Sequence, residues 1–234
     1  MIGFDPLYFI FVAPAFVLSL VASFLVKSRF KKYSEVSTRS GMSGLEAAQA
    51  VLRSGGVMDV SIERADGFLS DHYDPSHKVL RLSPEVYDGR SISAVGVGAH
   101  EAGHAIQHKT RYGMLSARTA LVPMASIGSN LSYFILFGGF ILNMTGLVYV
   151  GIALFSAVVL FQLITLPVEF DASARAKKLL WDTGVITNTS EREGVSAVLN
   201  AAALTYVAAA VSAIATLIYY LIRSGILGGG RSED

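Results

Sequence analysis

Residues 119–168, TALVPMASIGSNLSYFILFGGFILNMTGLVYVGIALFSAVVLFQLITLPV, form a run of 50 residues without one charged side chain. A helix crosses the hydrocarbon core of a bilayer with about 20 residues, so this run is too long for one crossing and sufficient for two. Asn143-Met144-Thr145-Gly146 interrupts it with turn-forming residues, which predicts a helical hairpin. Two further uncharged runs flank it: 21 residues between Asp5 and Lys27, and 29 residues from Gly194 to Ile222. Each is long enough for one span. A cleaved leader carries its basic residues before the apolar run, whereas here Lys27, Arg29, Lys31 and Lys32 follow it. The first run is therefore expected to be an anchor and not a signal peptide.

Composition agrees with this reading. Apolar residues make up 52% of the 234, charged residues only 16%, and the mean hydropathy is +0.50, an unusual profile for a water-soluble domain. The net charge of +1 offers no basis for a nucleic-acid partner. The chain has no cysteine, which excludes disulfide scaffolds, thiolate metal sites and cysteine nucleophiles. A transition metal would have to be held by His, Asp or Glu.

Charge placement orients the spans. Thirteen of the 19 Lys and Arg residues lie between Lys27 and Arg118 and four between Arg175 and Arg192. Seventeen thus share one side of the membrane, and the positive-inside rule makes that side cytoplasmic. The expected organisation is a first span in residues 1–27, a cytoplasmic catalytic region in 28–118, the hairpin in 119–168, a short cytoplasmic segment in 169–193, a last span in 194–223 and a tail in 224–234. The basic cluster at Lys27–Lys32 also suits anionic lipid headgroups, although a solvated juxtamembrane segment explains it equally well.

Within the soluble region, Ser43 and Glu46 have capping-box spacing ahead of LEAAQAVLRSGG, which predicts a helix ending at the glycine pair. Residues 60–82 read as short strands, VSIERA, GFLSDHYDP and HKVLRLS, with a turn at Pro75-Ser76. From Ser91 to about His108 the apolar spacing is helical again. The fold class expected is a mainly α membrane protein, with about four transmembrane helices and a small α+β cytoplasmic part.

The predicted helix over 91–108 carries His100-Glu101-Ala102-Gly103-His104. Residues four apart lie one turn above each other on one helix face, so both imidazoles can reach a single ion. Glu101 is rotated by about 100° from His100, which suits a base that hydrogen-bonds a metal-bound water. With five His and nine Glu in the chain, chance supplies about 0.004 occurrences of His-Glu-x-x-His. Two histidines that only form local hydrogen bonds are the ordinary alternative.

A catalytic zinc usually has three protein ligands. His108, Asp71, Asp74, His72, His77, Glu169 and Asp171 are the candidates for the third. His108 continues the spacing but lies two turns, roughly 12 Å, from His100 on a straight helix, too far to share its ion. Glu169 is the stronger choice: it is the first charge after the 50-residue run and follows Pro167. A carboxylate there needs solvent, a cation or a metal, and pairing to Arg175 or Lys177 remains an alternative to a metal. Asp71-His72-Tyr73-Asp74-Pro75 is either an Asp-Pro turn or a source of substrate-aligning and oxyanion-stabilising groups.

LPVEFDASARA, LSDHYDPSHKVLRLSPEVY and GVGAHEAGHAIQH together resemble the YugP-like neutral zinc metallopeptidases of bacterial membranes, over most of the chain. The resemblance implies a gluzincin: Zn²⁺ bound by His100, His104 and Glu169, with Glu101 catalytic. In the similar heat-shock and CaaX-type membrane proteases the Glu ligand opens a Glu-x-x-Ala-Asp pattern. Here Ser173 stands at the Asp position, and Asp171 lies two residues earlier.

The function expected is a zinc-dependent membrane endopeptidase acting on a peptide or protein substrate at the membrane, located in the bacterial plasma membrane with its active site on the cytoplasmic side. No residue pattern specifies an oligomeric state. An intramembrane protease of the site-2 type would need a Leu-Asp-Gly segment within a span, and Asp182-Thr183-Gly184 matches it poorly. A membrane metal-binding scaffold without turnover is the alternative from a different class.

Overall fold

The structure, a computed structural model, describes residues 5–227. In chain order these form α1 (Pro6–Ser34), α2 (Gly44–Ser54), β1 (Ser61–Arg64), β2 (His72–Asp74), β3 (Val79–Leu82), α3 (Pro84–Tyr87), α4 (Ile92–Lys109), α5 (Gly113–Ile141), α6 (Thr145–Asp182) and α7 (Thr189–Arg223). The protein is thus mainly helical with one small sheet. Residues 228–230, the glycine-rich tail, lie outside the described residues.

Helices α1, α5, α6 and α7 are long and apolar enough to cross a membrane. The shorter ones have 29 residues, about 44 Å at 1.5 Å per residue. They run past the uncharged stretches: α5 begins at Gly113 and α7 at Thr189, because a helix is propagated by its backbone bonds and tolerates solvated charges at its ends. For the same reason α6 continues unbroken to Asp182, so most of the segment 169–193 is helical.

The chain divides into two compact units. The described parts of residues 1–21, 117–166 and 206–234 form the apolar unit. Within it Phe16, Phe134 and Phe137 are exposed, a surface suited to lipid and costly in water. The α5–α6 turn places Asn143 in the left-handed region, φ 52°, which asparagine tolerates. Small residues bring these helices together: a Cβ on Gly128 would stand 2.7 Å from the Leu154 carbonyl oxygen, the close backbone approach characteristic of membrane helices. The Ser19 and Ser212 hydroxyls, 3.2 Å apart, link α1 to α7.

Residues 22–116 and 167–205 form the second unit. Its core includes Val51, Leu80, Leu82, Val95, Ala102, Ile106, Leu180 and Leu199. The capping box at α2 is present, with the Glu46 N–H donating to Ser43 Oγ at 3.2 Å and the Ser43 N–H donating to Glu46 Oε2 at 2.7 Å. The sheet order is β1-β3-β2; β3 pairs in parallel with β1 and antiparallel with β2. Strand β2 is therefore an edge. Helix α4 is buried along most of its length, and glycines let its neighbours approach. A Cβ on Gly98 would meet the Gly44 carbonyl oxygen at 2.5 Å, and one on Gly103 the Ala172 carbonyl oxygen at 2.7 Å.

The contact at Gly103 fixes the separation of α4 from α6. Gly103→Ala is expected to lower stability by about 1–3 kcal/mol through overpacking, whereas Gly113→Ala, where an added Cβ meets nothing within 4 Å, should change it by no more than about 0.5 kcal/mol. Thermal unfolding of the two variants in one detergent compares them.

Candidate metal centre

Helix α4 begins at Ser91, whose hydroxyl accepts from the Ala94 N–H at 3.2 Å, and it carries His100 and His104 on the side facing α6. Their rings meet edge to face, with centroids 4.8 Å apart. Glu169, on α6, is only 1% exposed. Its Oε2 lies 3.2 Å from His100 Nε2 and 3.5 Å from His104 Nε2, and one donor atom from each of the three residues falls within 4.8 Å of the others. Tetrahedral coordination with bonds near ~2.0–2.1 Å requires donors about 3.3 Å apart. The three side chains fit such an ion, and no other His, Asp or Glu group among the described residues matches this closeness.

The far nitrogens of both imidazoles are engaged. His100 Nδ1 lies 3.1 Å from Ser173 Oγ, and His104 Nδ1 lies 3.0 Å from Gln107 Oε1. Gln107 is fully buried. Its Nε2 donates to the Val168 carbonyl at 2.7 Å and to Asp171 Oδ2 at 2.8 Å, which leaves Oε1 as acceptor. His104 must then donate from Nδ1, which leaves Nε2, the nitrogen nearest Glu169, to carry a proton or a metal ion. Asp171 is held in turn by Arg175 Nε at 2.6 Å. Asp171 therefore supports Gln107, and it is Ser173 that meets His100.

Burial disfavours a charge on His104, but the hydrogen bond to Glu169 and the nearby Glu101 outweigh it, so the proton affinity of the imidazole is raised. A cation, proton or metal, is what this pocket of carboxylates stabilises. Glu101 itself is 8% exposed, and among the described residues its carboxylate has no hydrogen-bond partner.

The other sequence candidates for the third ligand are bonded elsewhere. Asp71 accepts from the Ser83 N–H at 2.8 Å and from the Ser83 hydroxyl; burial and the charge of Glu101 raise its pKa despite the opposing Ser83 N–H bond. Asp74 closes the turn after β2 through the Ser76 and His77 N–H groups and His77 Nδ1, as an Asp-Pro turn requires. His72 Nδ1 lies 2.8 Å from the Ser70 carbonyl oxygen. His108 Nδ1 lies 2.9 Å from the Tyr73 hydroxyl. Gln107 was not among the sequence candidates. Its signal was its place three residues after His104, on the helix face that carries both imidazoles.

Residues 8–225 match the model of a protein family described as "Putative neutral zinc metallopeptidase". The chain belongs to this family. It is also 48% identical over 227 residues to the "Putative membrane protease YugP" of Bacillus subtilis (strain 168), covering 97% of this chain and 99% of that protein. No solved structure matches. Family membership identifies zinc as the metal for which the two imidazoles and the carboxylate are suited.

Loss of the outer hydrogen bonds should loosen the metal without emptying the core. Gln107→Leu and Ser173→Ala are each expected to weaken zinc binding by about 10- to 100-fold. Competition with a chromogenic chelator on purified protein measures it.

Proposed function

We propose that the protein is a zinc-dependent membrane endopeptidase of the gluzincin type, with zinc held by His100, His104 and Glu169 and with Glu101 as general base. The observation that carries this reading is the Glu101 carboxylate, on a largely buried residue but open to solvent and without a hydrogen-bond partner among the described residues, next to two imidazoles and a carboxylate converging on one point. A carboxylate open to solvent and without a protein hydrogen bond beside such a centre suits a water molecule that must lose a proton. His100, His104 and Glu169 would hold the zinc, which when bound would supply Lewis acidity to activate water and polarise the scissile carbonyl. Glu101 takes the proton from the attacking water at its carboxylate and returns it to the departing amine. Ser173 and Gln107 hold the imidazoles so that Nε2 of each is turned towards the Glu169 carboxylate, where the three side chains would hold the metal.

The family and the relative support a peptidase, and the four long apolar helices support membrane insertion. The substrate proposed is a peptide or a membrane-associated protein. With 17 of 19 basic residues on one side, that side is the cytoplasm of a bacterial plasma membrane, and the metal centre faces it.

Orientation is checked with a single cysteine at Lys78, an exposed position in a chain that has no other cysteine. It is expected to react with a membrane-impermeant thiol reagent only after the cells are opened; labelling of intact cells would reverse the topology.

For the chemistry, Glu101→Gln is expected to keep stoichiometric zinc and to lower peptide hydrolysis by at least about a hundredfold, the low end of general-base catalysis. Zinc content and turnover of a quenched peptide library are measured on the same detergent-purified sample. Near-native turnover in this variant overturns the mechanism, and a wild type that binds zinc but cleaves nothing favours the scaffold.

A further inference from the structure

Beyond the metal centre, the second unit contains a cavity of about 400 Å³ between β2 and the last turn of α4. Three cations, Lys78, Lys109 and Arg111, line it together with His108 and Tyr73, and Asp59 is the one acid of its lining. Asp59 is paired to Lys78 at 2.5 Å, and the Lys109 amine donates to the Gly56 carbonyl. Arg111 differs from both: among the described residues its guanidinium has no hydrogen-bond or ion-pair partner. The Tyr73 hydroxyl and His108 Nδ1, 2.9 Å apart, form a polar wall beside it.

The backbone at Arg111 strengthens the point. The Arg111 and Tyr112 N–H groups donate to the His108 and Gln107 carbonyls, the pattern that closes a helix through one left-handed residue. That residue is Arg111, at φ 52°. Glycine takes this conformation without strain, and an arginine there is at a disadvantage. Compensation of the α4 dipole is already provided by Lys109 in the last turn, so it does not require a further cation at a strained position.

We propose that Arg111, with Lys78, Lys109 and the Tyr73–His108 pair, forms an anion subsite that takes a carboxylate of the peptide substrate about two residues from the bond cut. The proposal rests on the peptidase reading. His108 is one helical turn, about 6 Å, from His104 along α4, and an extended peptide advances ~3.3 Å per residue. The free edge of β2, which carries Tyr73, offers main-chain hydrogen bonds to a peptide in that conformation. A carboxylate suits the site because a guanidinium binds it with two parallel N–H bonds.

The test uses the full-length protein in zwitterionic lipid nanodiscs and quenched peptides that differ only by Asp, Asn or Lys, scanned over three positions on each side of the cleavage point. At one position Asp is expected to exceed Asn by about tenfold in kcat/KM, the worth of one charge-assisted pair. Arg111→Gly should melt at a higher temperature than wild type and yet bring that ratio to about one. Arg111→Lys should keep part of it, and Arg111→Glu should invert it in favour of Lys. Binding of the same peptides to Glu101→Gln, read by fluorescence anisotropy, reports the preference even if no peptide is cleaved, which separates failure of the subsite from failure of the peptidase reading. An Asp-to-Asn ratio unchanged in Arg111→Gly, or a wild type without preference in both assays, overturns the proposal. So does an Arg111 effect that is equal for all peptides and arises only with anionic lipid, since the cations would then serve the membrane surface.

Discussion

The second unit depends on a carboxylate that water cannot solvate. Glu169 is 1% exposed, and a buried anion is tolerated only with a positive or hydrogen-bonding partner of good geometry. Both imidazoles of α4 provide it, at 3.2 and 3.5 Å. Such proximity needs α4 and α6 at a separation that no side chain at position 103 would allow, since even a methyl group there would press on the Ala172 carbonyl oxygen. Gly103, inside the His-Glu-x-x-His segment, is thus as much a part of the centre as the residues that carry its charge.

That close approach also determines the outer partners. With α6 drawn against α4, Ser173 is opposite His100 and Asp171 opposite Gln107, one helical face supplying Glu169, Ser173 and, a little to the side, Asp171. The Gln107 amide is the pivot: donating both to a backbone carbonyl and to Asp171, it leaves its oxygen for His104. Breaking that order would strand buried polar groups, so the imidazole is held in one tautomer by the fold.

Much of this was legible from local pattern. The hairpin followed from 50 uncharged residues and a turn, the capping box from Ser43 and Glu46, and the two imidazoles on one face from a spacing of four, since each depends on residues a few positions apart. Glu169 stood out as an isolated charge after a long apolar run. Residues far apart in sequence were harder. β3 lies between β1 and β2, although in sequence β2 comes between them, and no periodicity reveals that arrangement. The partners of His100 and His104 were equally hidden. Ser173 at an acidic position leaves the question open in the sequence, and only the helix contact shows that its hydroxyl meets Nδ1 while Asp171 is turned towards Gln107 and Arg175.

Neutral outer partners have an electrostatic consequence. With a divalent ion bound, the charges of Glu169 and Glu101 balance it, and Asp171 is balanced by Arg175 at 2.6 Å. A carboxylate at position 173 would add an unbalanced anion to a centre in which Asp71 already feels the charge of Glu101. Like charges in a region of low dielectric raise one another's pKa values, and the added proton affinity would fall partly on Glu101, which the base role proposed for it requires to be ionised. Serine orients His100 through the same nitrogen without that charge. The departure at Ser173 from the acidic pattern is therefore consistent with the rest of the centre, where orientation of both imidazoles is delegated to neutral oxygens and the anions are kept for the ion and the proton.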